Sequence, residues 1–358
     1  MSPDSRQAER ATGQRPARVG YLGPEGTFSE EALLSSAAPG AVEPVALRTI
    51  YETILALTRG EVEWALVPIE NSLDGSISVT LDMLGSEEGG LRIVGEALLV
   101  VRHSLIAAEA VSLGEIDTVF THPQVPGQCE RFLRGELSQA EVLAASSTAE
   151  AVRMVVEGGQ RSNAALGTVL AAEIYGATVL REGVQDRHDN ETRFVWLARA
   201  GDGSCDAFAA PPASHDASPG TGDAIGAAPL RSHQGEGWKT SLVFWGPGAD
   251  SPGWLVRCLD EFGRRSINLT KIESRPKRDR MGSYMFFVDL QGAVRDPPIA
   301  DAVAGLKQIC EQARVLGSYP MNGSPGVGSS TVKPSPGEAA GNRSGVSMPS
   351  LHSGATDG

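Results

Sequence analysis

The polar side chains of this chain that have the makings of a reactive site gather in short runs. The densest is RHDNETRFVWLARA (187–200), where charged and amide residues from Arg187 to Glu191 run straight into Thr192, Arg193 and an apolar stretch. A loop this rich in ionisable groups that stops abruptly at a strand often delivers its edge residues to something; its plainer reading is a solvated loop with Arg187, Asp189 and Glu191 in water, and Thr192-Arg193 at the start of a strand is otherwise ordinary. A metal site built from His188, Asp189 and Glu191 is the much weaker reading, because nothing else supplies the remaining ligands. In VPIENSLDGSIS (67–78), Glu70, Asn71, Ser72 and Asp74 follow an apolar strand, the place where open α/β sheets collect ligands. Asn71 and Ser72 donate and accept hydrogen bonds without bringing a charge, which suits a polyhydroxy acid; their plainer role is to stabilise a turn.

Three further runs have the same flavour. GPEGTFSEEAL (23–33) is a Gly/Pro turn ahead of a helix, with Thr27 and Glu30 in capping-box spacing. Free amides at that helix start, with Thr27 and Ser29, are suited to a carboxylate. It lacks the Gly-Lys of a phosphate-binding loop. THPQVPGQCERF (121–132) again follows a strand, with Pro126 at a helix start and Gln124 and Gln128 one turn apart if the helix begins early. Gln128 is the better ligand there, because a lone His122 is more often structural than a base. In SSTAEAVRMV (146–155), Ser147 and Glu150 have capping-box spacing, and a plain cap accounts for most of it. Period-two alternation places Arg193 opposite Thr192, which favours a structural role for the arginine.

The elements that must position these groups follow from the apolar pattern. Over 19–199, short runs such as RVGYLG, VEPVAL, WALVPI, TVFTH and ATVLREG alternate with helical patterns, the mark of βαβ units on a mostly parallel sheet. LRIVGEALLVVRHSLIAA is long for one strand and is expected to cross between two lobes with a cleft between them. Residues 238–320 read strand, helix, strand, strand, helix, strand, the order of a ferredoxin-like βαββαβ fold. Residues 1–18, 200–237 and 321–358 lack an apolar period, so disordered ends and a linker or disordered insertion are expected there.

Composition excludes several partners. The chain of 358 residues is 41% hydrophobic, and 31 Lys+Arg against 44 Asp+Glu give a net charge of −13, which repels phosphate backbones and anionic membranes. The N-terminal run has no apolar signal-like segment and no later run is long enough to span a bilayer, so a cytoplasmic protein is expected. Cys129, Cys205, Cys258 and Cys310 are widely spaced, without a Cys-x-x-Cys pair, and read as reduced, isolated thiols.

Together the runs resemble the prephenate dehydratase family. GPEGTFS, PIENSLDGS, THPQVPGQC, STAEA and NETRF stand in that family's order, followed by PGWL and INLTKIESRP as in its C-terminal ACT regulatory domain. The resemblance implies a bilobed, periplasmic-binding-protein-like catalytic domain over 19–199 and an ACT domain over 238–320. The implied reaction is loss of water and carbon dioxide from prephenate to give phenylpyruvate for phenylalanine synthesis, without metal or organic cofactor. It makes Thr192 the catalytic residue. The implied substrate-binding set is Thr27, Ser29, Asn71, Ser72, Thr121, Gln128, Ser147, Thr148, Arg193 and Phe194. The implied phenylalanine-binding set is Gly253, Leu255, Val256, Asn268, Leu269, Glu273, Ser274, Arg275 and Pro276, lying between copies of a homodimer or homotetramer.

Two departures stand out. The linker at 200–237 is long for the family, and Trp254 replaces a small alanine near the effector pocket. No chorismate mutase segment precedes the first strand, so a monofunctional enzyme is expected. The alternatives are arogenate dehydratase, which performs the same elimination on the transaminated substrate, and a non-catalytic binding protein for a small acid.

Overall fold

The computed structural model describes residues 15–86, 90–201, 230, 237–247 and 251–321. Its first lobe is built from β1 (Ala17–Leu22), α1 (Phe28–Ser36), β2 (Val42–Leu47), α2 (Ile50–Thr58), β3 (Trp64–Asn71), β4 (Gly75–Ser76), α3 (Ser78–Gly85) and β5 (Leu91–Val100). The second holds β6 (Ser104–Ala107), β7 (Thr118–Thr121), α4 (Glu130–Glu136), β8 (Glu141–Ala144), α5 (Thr148–Gly158), β9 (Asn163–Gly167), α6 (Val169–Tyr175) and β10 (Thr178–Arg181). The chain then returns to the first lobe as β11 (Glu191–Arg199). The strand orders are β2-β1-β3-β11-β5, with β4 on β3, and β10-β6-β9-β7-β8.

The long apolar run does cross between lobes, breaking at 101–103 between β5 and β6, and the polar loop at 182–190 carries the chain back. The expectation of mostly parallel sheets needs correction. β11 is antiparallel to both β3 and β5, and β6 is antiparallel to β9 and β10. A strand that crosses between the lobes enters its sheet against the direction of the βαβ units, so antiparallel pairs lie toward one edge of each sheet, at β11 beside β5 and at β6 beside β10. Burial is one-sided on each helix and two-sided on β3 and β11. Val19, Leu66, Phe194 and Trp196 pack toward α1, while Val67, Ile69, Val195 and Leu197 pack on the opposite face.

The C-terminal block has β12 (Trp238–Trp245), α7 (Trp254–Gly263), β13 (Leu269–Pro276), β14 (Tyr284–Gln291), α8 (Pro297–Ile309) and β15 (Gln312–Pro320), in sheet order β13-β14-β12-β15. This is the expected βαββαβ order. Phe244, Trp254, Phe262, Val288 and Leu306 fill the space between sheet and helices. Trp254 turns inward, its indole donating to the Ile309 carbonyl at 2.8 Å, over Gly246, where a Cβ would lie 2.5 Å from the indole ring. The departure at Trp254 is thus absorbed by the core.

A four-stranded sheet with its helices on one face leaves its other face or its edge free to pair with a second copy, as the expected homo-oligomer requires. Instead Val243, Trp245, Met285, Phe287 and Leu316 join Leu57, Leu81, Leu84 and Ile93 of the first lobe in one continuous core. An apolar face of that size is covered by the nearest apolar surface, and here that surface belongs to the same chain. The outer strands β13 and β15 remain as sheet edges.

The disordered segments expected at 1–18, 200–237 and 321–358 lie largely outside the described residues, with two details. β1 already begins at Ala17, and Leu230 forms a bridge with Ala37 and packs on the first lobe's core. The thiols are not all isolated, because Cys258 and Cys310 sulfurs approach to 3.7 Å between α7 and the end of α8. No helix among the described residues is long and apolar enough to cross a membrane.

Candidate active site

β11 lies between β3 and β5, and its register pairs Thr192 with Asn71 on one side and Leu99 on the other. This places Thr192, at the first turn out of the returning crossover, beside the last residue of β3. The two meet directly: Asn71 Nδ2 donates to Thr192 Oγ1 at 2.9 Å. The polarity of that contact is fixed from behind. Asn71 Oδ1 accepts the backbone N–H groups of Leu73 and Asp74 at 2.9 and 3.0 Å, which leaves its amide hydrogens pointing toward Thr192 and toward Asn190 Oδ1, 2.9 Å away. With its oxygen already accepting, the Thr192 hydroxyl has its own hydrogen to donate elsewhere.

The chain of amides continues. Asn190 Oδ1 is an acceptor, so its Nδ2 faces Gln128 Oε1 at 3.5 Å, and His103 Nε2 lies 2.9 Å from the same Gln128 oxygen. Ser72 Oγ accepts the Glu191 N–H at 3.0 Å, and the Ser72 N–H donates to the Glu191 carbonyl at 2.9 Å. The returning loop is thereby stapled to the turn after β3. On the surface of the loop Arg187 and Asp189 pair with each other, while Asn190 turns inward. The loop's dense charge is therefore its solvated side.

The predicted residues separate into two groups. Asn71, Ser72, Gln128 and Thr192 come together at the junction of the lobes. The others do different work. Thr27 caps α1, accepting from the Glu30 N–H at 3.4 Å and donating to the Leu22 carbonyl at 3.0 Å. The Glu30 carboxylate closes this cap on the Gly26 N–H rather than on Thr27, and burial, partly offset by that bond, pushes its acid above the ordinary glutamate range. Ser29 is buried in the first turn behind Phe28, whose ring meets the His103 ring edge-on at 5.3 Å. Thr121 donates to the Leu166 carbonyl at 3.1 Å. Ser147 caps α5 through the Glu150 N–H at 3.0 Å, with Thr148 buried beside it, and Glu150 turns to Arg153 instead of completing the box. His122 accepts a turn N–H from Gln124, and Gln124 precedes the short helical turn at Pro126–Gln128.

Two predicted substrate contacts need correction. Phe194 is buried in the first lobe's core. Arg193 leaves the sheet on the side opposite Thr192, and its guanidinium is fully engaged by Glu96 at 2.8 Å, Asp289 at 2.6 Å and the Tyr319 hydroxyl at 2.8 Å. Neither Asp189 nor Glu191 is its partner. Lys239 also binds Glu96 at 2.7 Å, and Ser241 donates to Asp289 at 2.5 Å, so the side chains of the C-terminal block close the cluster. Burial alone would lower the Arg193 pKa, but Tyr319, Asp289 and Glu96 hold it well above its usual value.

The residues expected around the effector divide in the same way. Gly253, at φ +75°, precedes α7, Leu255 in the first turn of that helix packs against the block's core, and Val256 is exposed. Asn268 binds the Gln291 side chain, Leu269 lies against the block's own core, and Ser274 and Pro276 are on the exposed side of β13. Glu273 and Arg275 instead face the first lobe, Glu273 accepting from Ser76 at 3.2 Å and Arg275 reaching Asp82 at 3.1 Å. Their neighbour Lys271 pairs with Glu70 at 3.0 Å, one residue before Asn71.

Residue-level reading of the sequence missed Asn190 and His103. Asn190 stood inside the quoted loop but looked like one more solvated residue. The available signal for His103 was a lone imidazole at the break in the long apolar run, just where the chain leaves one lobe for the other. Cys129, next to Gln128, is no nucleophile, since burial pushes its thiol up to about 12.

Fold and site together define a two-lobed α/β protein with neutral hydrogen-bond donors at the junction of the lobes and a ferredoxin-like block packed behind the strand that carries Thr192. A sequence profile of prephenate dehydratases matches residues 19–202. A prephenate dehydratase of Mycolicibacterium vanbaalenii is 35% identical over 315 residues, covering 84% of this chain and 90% of that one. The solved structure of the Arthrobacter aurescens prephenate dehydratase in complex with L-Phe superposes with a TM-score of 0.69 at 33% identity, covering 85% of this chain and 90% of the other. A solved protein described as a novel type of quorum quenching acylase superposes with a TM-score of 0.67 at 28% identity, covering 85% and 98%. The chain belongs to the prephenate dehydratase family, a family of hydro-lyases.

Proposed function

We propose that the cleft at the lobe junction converts prephenate to phenylpyruvate, with Thr192 as the hydrogen-bond donor to the departing hydroxyl. The observation that carries this reading is the 2.9 Å contact in which Asn71 donates to Thr192 Oγ1, leaving the threonine O–H to donate. In the reaction the bond to the ring carboxylate breaks and its electron pair enters the ring. The carbon–oxygen bond at the far ring carbon breaks and the oxygen leaves with the other pair. The products are carbon dioxide, hydroxide that takes up a proton as water, and an aromatic ring. Threonine is too weak an acid to transfer its proton outright at neutral pH, so its part is to stabilise charge growing on the leaving oxygen, an effect worth roughly 10²–10³ in rate. The donation from Asn71 polarises the hydroxyl and strengthens it as a donor. The amide hydrogens of Gln128 are suited to a carboxylate of the substrate.

Acylase chemistry would require a base beside the Thr192 nucleophile. The partner of Thr192 Oγ1 is a carboxamide nitrogen that donates, which supports elimination over acyl transfer. Assay of the purified protein with prephenate and arogenate in parallel, following aromatic product, decides between those substrates, with prephenate expected to be preferred. Thr192→Ala is expected to lose about 10²-fold or more in kcat with a smaller change in KM, and Thr192→Ser to retain more. An alanine variant within a few fold of wild type refutes the assignment.

The reading extends to control. Residues 19–199 form the catalytic unit, and 238–320 an ACT domain that binds phenylalanine near Gly253 and Ser274, in a cytoplasmic homo-oligomer. The L-Phe bound by the Arthrobacter aurescens relative supports this. Lys271–Glu70 and Asp289–Arg193 contacts link that domain to residues adjoining Asn71 and Thr192, and through them phenylalanine would favour one state of the cleft. Calorimetry and inhibition by phenylalanine are expected in the wild type and weaker in Ser274→Ala. Absence of binding to the wild type overturns the regulatory part alone.

A further inference from the structure

His103 sits at the first of the two crossings between the lobes, immediately before β6, and only 2% of its surface is exposed. Its Nε2 lies 2.9 Å from Gln128 Oε1, its own N–H donates to Gln185 Oε1 at 3.0 Å, and its Nδ1 has no partner although it is buried. The tautomer follows from the amides upstream. The Leu73 and Asp74 N–H groups fix the oxygen of Asn71, so Asn71 donates to Asn190 Oδ1, so Asn190 Nδ2 donates to Gln128 Oε1. Gln128 Oε1 is therefore an acceptor, and the hydrogen in the imidazole contact belongs to His103 Nε2.

We infer that His103 is a positioning residue of the elimination: its Nε2–H pins the Gln128 carboxamide with the oxygen inward, so that both Nε2 hydrogens of Gln128 are presented as donors to the anionic substrate. The Asn190 bond to the same oxygen is long at 3.5 Å and holds that orientation weakly by itself. Turning the carboxamide over would place its NH₂ against the imidazole N–H and the Asn190 NH₂, donor against donor, and would present an oxygen to a substrate carboxylate. The bare Nδ1 agrees with this assignment. A lone pair buried without a partner is tolerated at a cost, whereas an N–H buried there would leave the Nε2 side unable to donate to Gln128. Burial, only partly offset by the Gln128 contact, holds the imidazole below its ordinary pKa, so the neutral form prevails.

The inference rests on the proposed dehydratase site, and its test separates the two. Prephenate turnover is measured for wild type, His103→Leu, His103→Gln, His103→Asn, Gln128→Ala and His103→Leu/Gln128→Ala, with melting temperatures for each. A glutamine amide reaches the place of imidazole Nε2 and an asparagine amide does not. His103→Leu and His103→Asn are expected to lower kcat/KM about tenfold, the scale of one hydrogen bond. His103→Gln is expected to recover most of it, with the pH profile of the wild type. In the Gln128→Ala background, His103→Leu should cost less than about twofold, because the partner through which it acts is gone. If His103→Gln is as poor as His103→Asn, the imidazole does something other than donate from Nε2, and the assignment fails. Full multiplication of the two effects in the double variant refutes it as well, and the comparison of Gln with Asn remains decisive if the leucine variants do not fold. Should Thr192→Ala retain activity, the site reading fails; should only the His103 pattern be absent, that reading stands.

Discussion

Replacing Asp289 with asparagine keeps the shape of a buried side chain and removes its charge, and the consequence is calculable from its neighbours. Arg193 and Lys239 carry the positive charges of the cluster, Glu96 and Asp289 the negative ones, and the contacts run from 2.6 to 2.8 Å. Glu70, 3.7 Å from Arg193, and its partner Lys271 add one charge of each sign, so the cluster still balances, and each of the two charges that meet at 2.6 Å has a side chain only 9% exposed. Burial by itself would raise the Asp289 pKa, but the charge of Arg193 and the Ser241 hydroxyl hold it below the usual carboxylate range, so it is ionised throughout the neutral range. Asp289→Asn leaves one uncompensated buried positive charge. Breaking a buried pair in this way costs about 3–5 kcal/mol. For a chain of this size, at about 2–4 °C per kcal/mol, that is a fall in melting temperature of roughly 10 °C.

The pH dependence has a definite sign. A carboxylate whose folded pKa is depressed contributes stability that is present above its unfolded value of about 3.9 and is lost as pH falls through the lower folded value. The gap between wild type and Asp289→Asn should thus be constant from pH 6 to 8 and close only in acid. The double variant Arg193→Met/Asp289→Leu leaves Lys239 facing Glu96 and restores neutrality, so it should regain much of the stability lost by the single change. Urea unfolding of the three proteins at pH 7 is the assay. A single-variant loss below about 1 kcal/mol, with no recovery in the double, would falsify the view that this cluster is desolvated and clamps the C-terminal block to β11.

Two other outcomes follow from the same geometry. Asn71→Asp places an acceptor where the amide donates to Thr192 and Asn190, and adds a negative charge near the substrate; kcat is expected to fall at least about 10²-fold while the backbone cap on Leu73 and Asp74 persists, which a near-normal melting temperature would show. His103, with its folded pKa lowered by burial, contributes stability that is intact above its unfolded value of about 6.5 and is lost as pH falls toward the folded value, at up to about 1.4 kcal/mol per pH unit. His103→Gln should flatten that part of the stability profile, and an unchanged slope in chemical denaturation would show that the imidazole takes up its proton without hindrance.

Much of this was legible in the residues and some was not, for reasons that can be named. Strand-end placement of Asn71 and Thr192 follows from apolar runs that stop abruptly, a local signal. The βαββαβ order of the C-terminal block follows from short-range periodicity and was fully readable. Partners distant in sequence were not. Nothing near Arg193 announces Asp289 or Tyr319, and alternation placed its side chain opposite Thr192 without saying what it would meet. Hydroxyls such as Thr27 and Thr121 looked like ligands because sequence shows a donor but not the carbonyl that consumes it. The face of the C-terminal sheet looked free because its cover, α2, α3 and β5, lies in another part of the chain.

The acidic net charge of −13 looks ill-suited to a dianion, and on the proposed reading the arrangement around β11 meets the difficulty. Along this strand one residue serves each side. Thr192 faces the lobe junction, where the groups gathered beside it, Asn71, Asn190, Gln128 and His103, are neutral dipoles whose orientation is set in sequence by two backbone N–H groups. Arg193 faces the other way and is neutralised by carboxylates. A fixed array of dipoles needs no reorganisation when charge moves from a ring carboxylate to a leaving oxygen, whereas a mobile cation near the carboxylate would stabilise the ground state as strongly as the transition state. On the proposed reading, holding the cation behind the strand separates two tasks that a single arginine beside Thr192 would confuse: the amides and the hydroxyl would act on the reaction, while the ion cluster ties the strand that carries the hydroxyl to the C-terminal block.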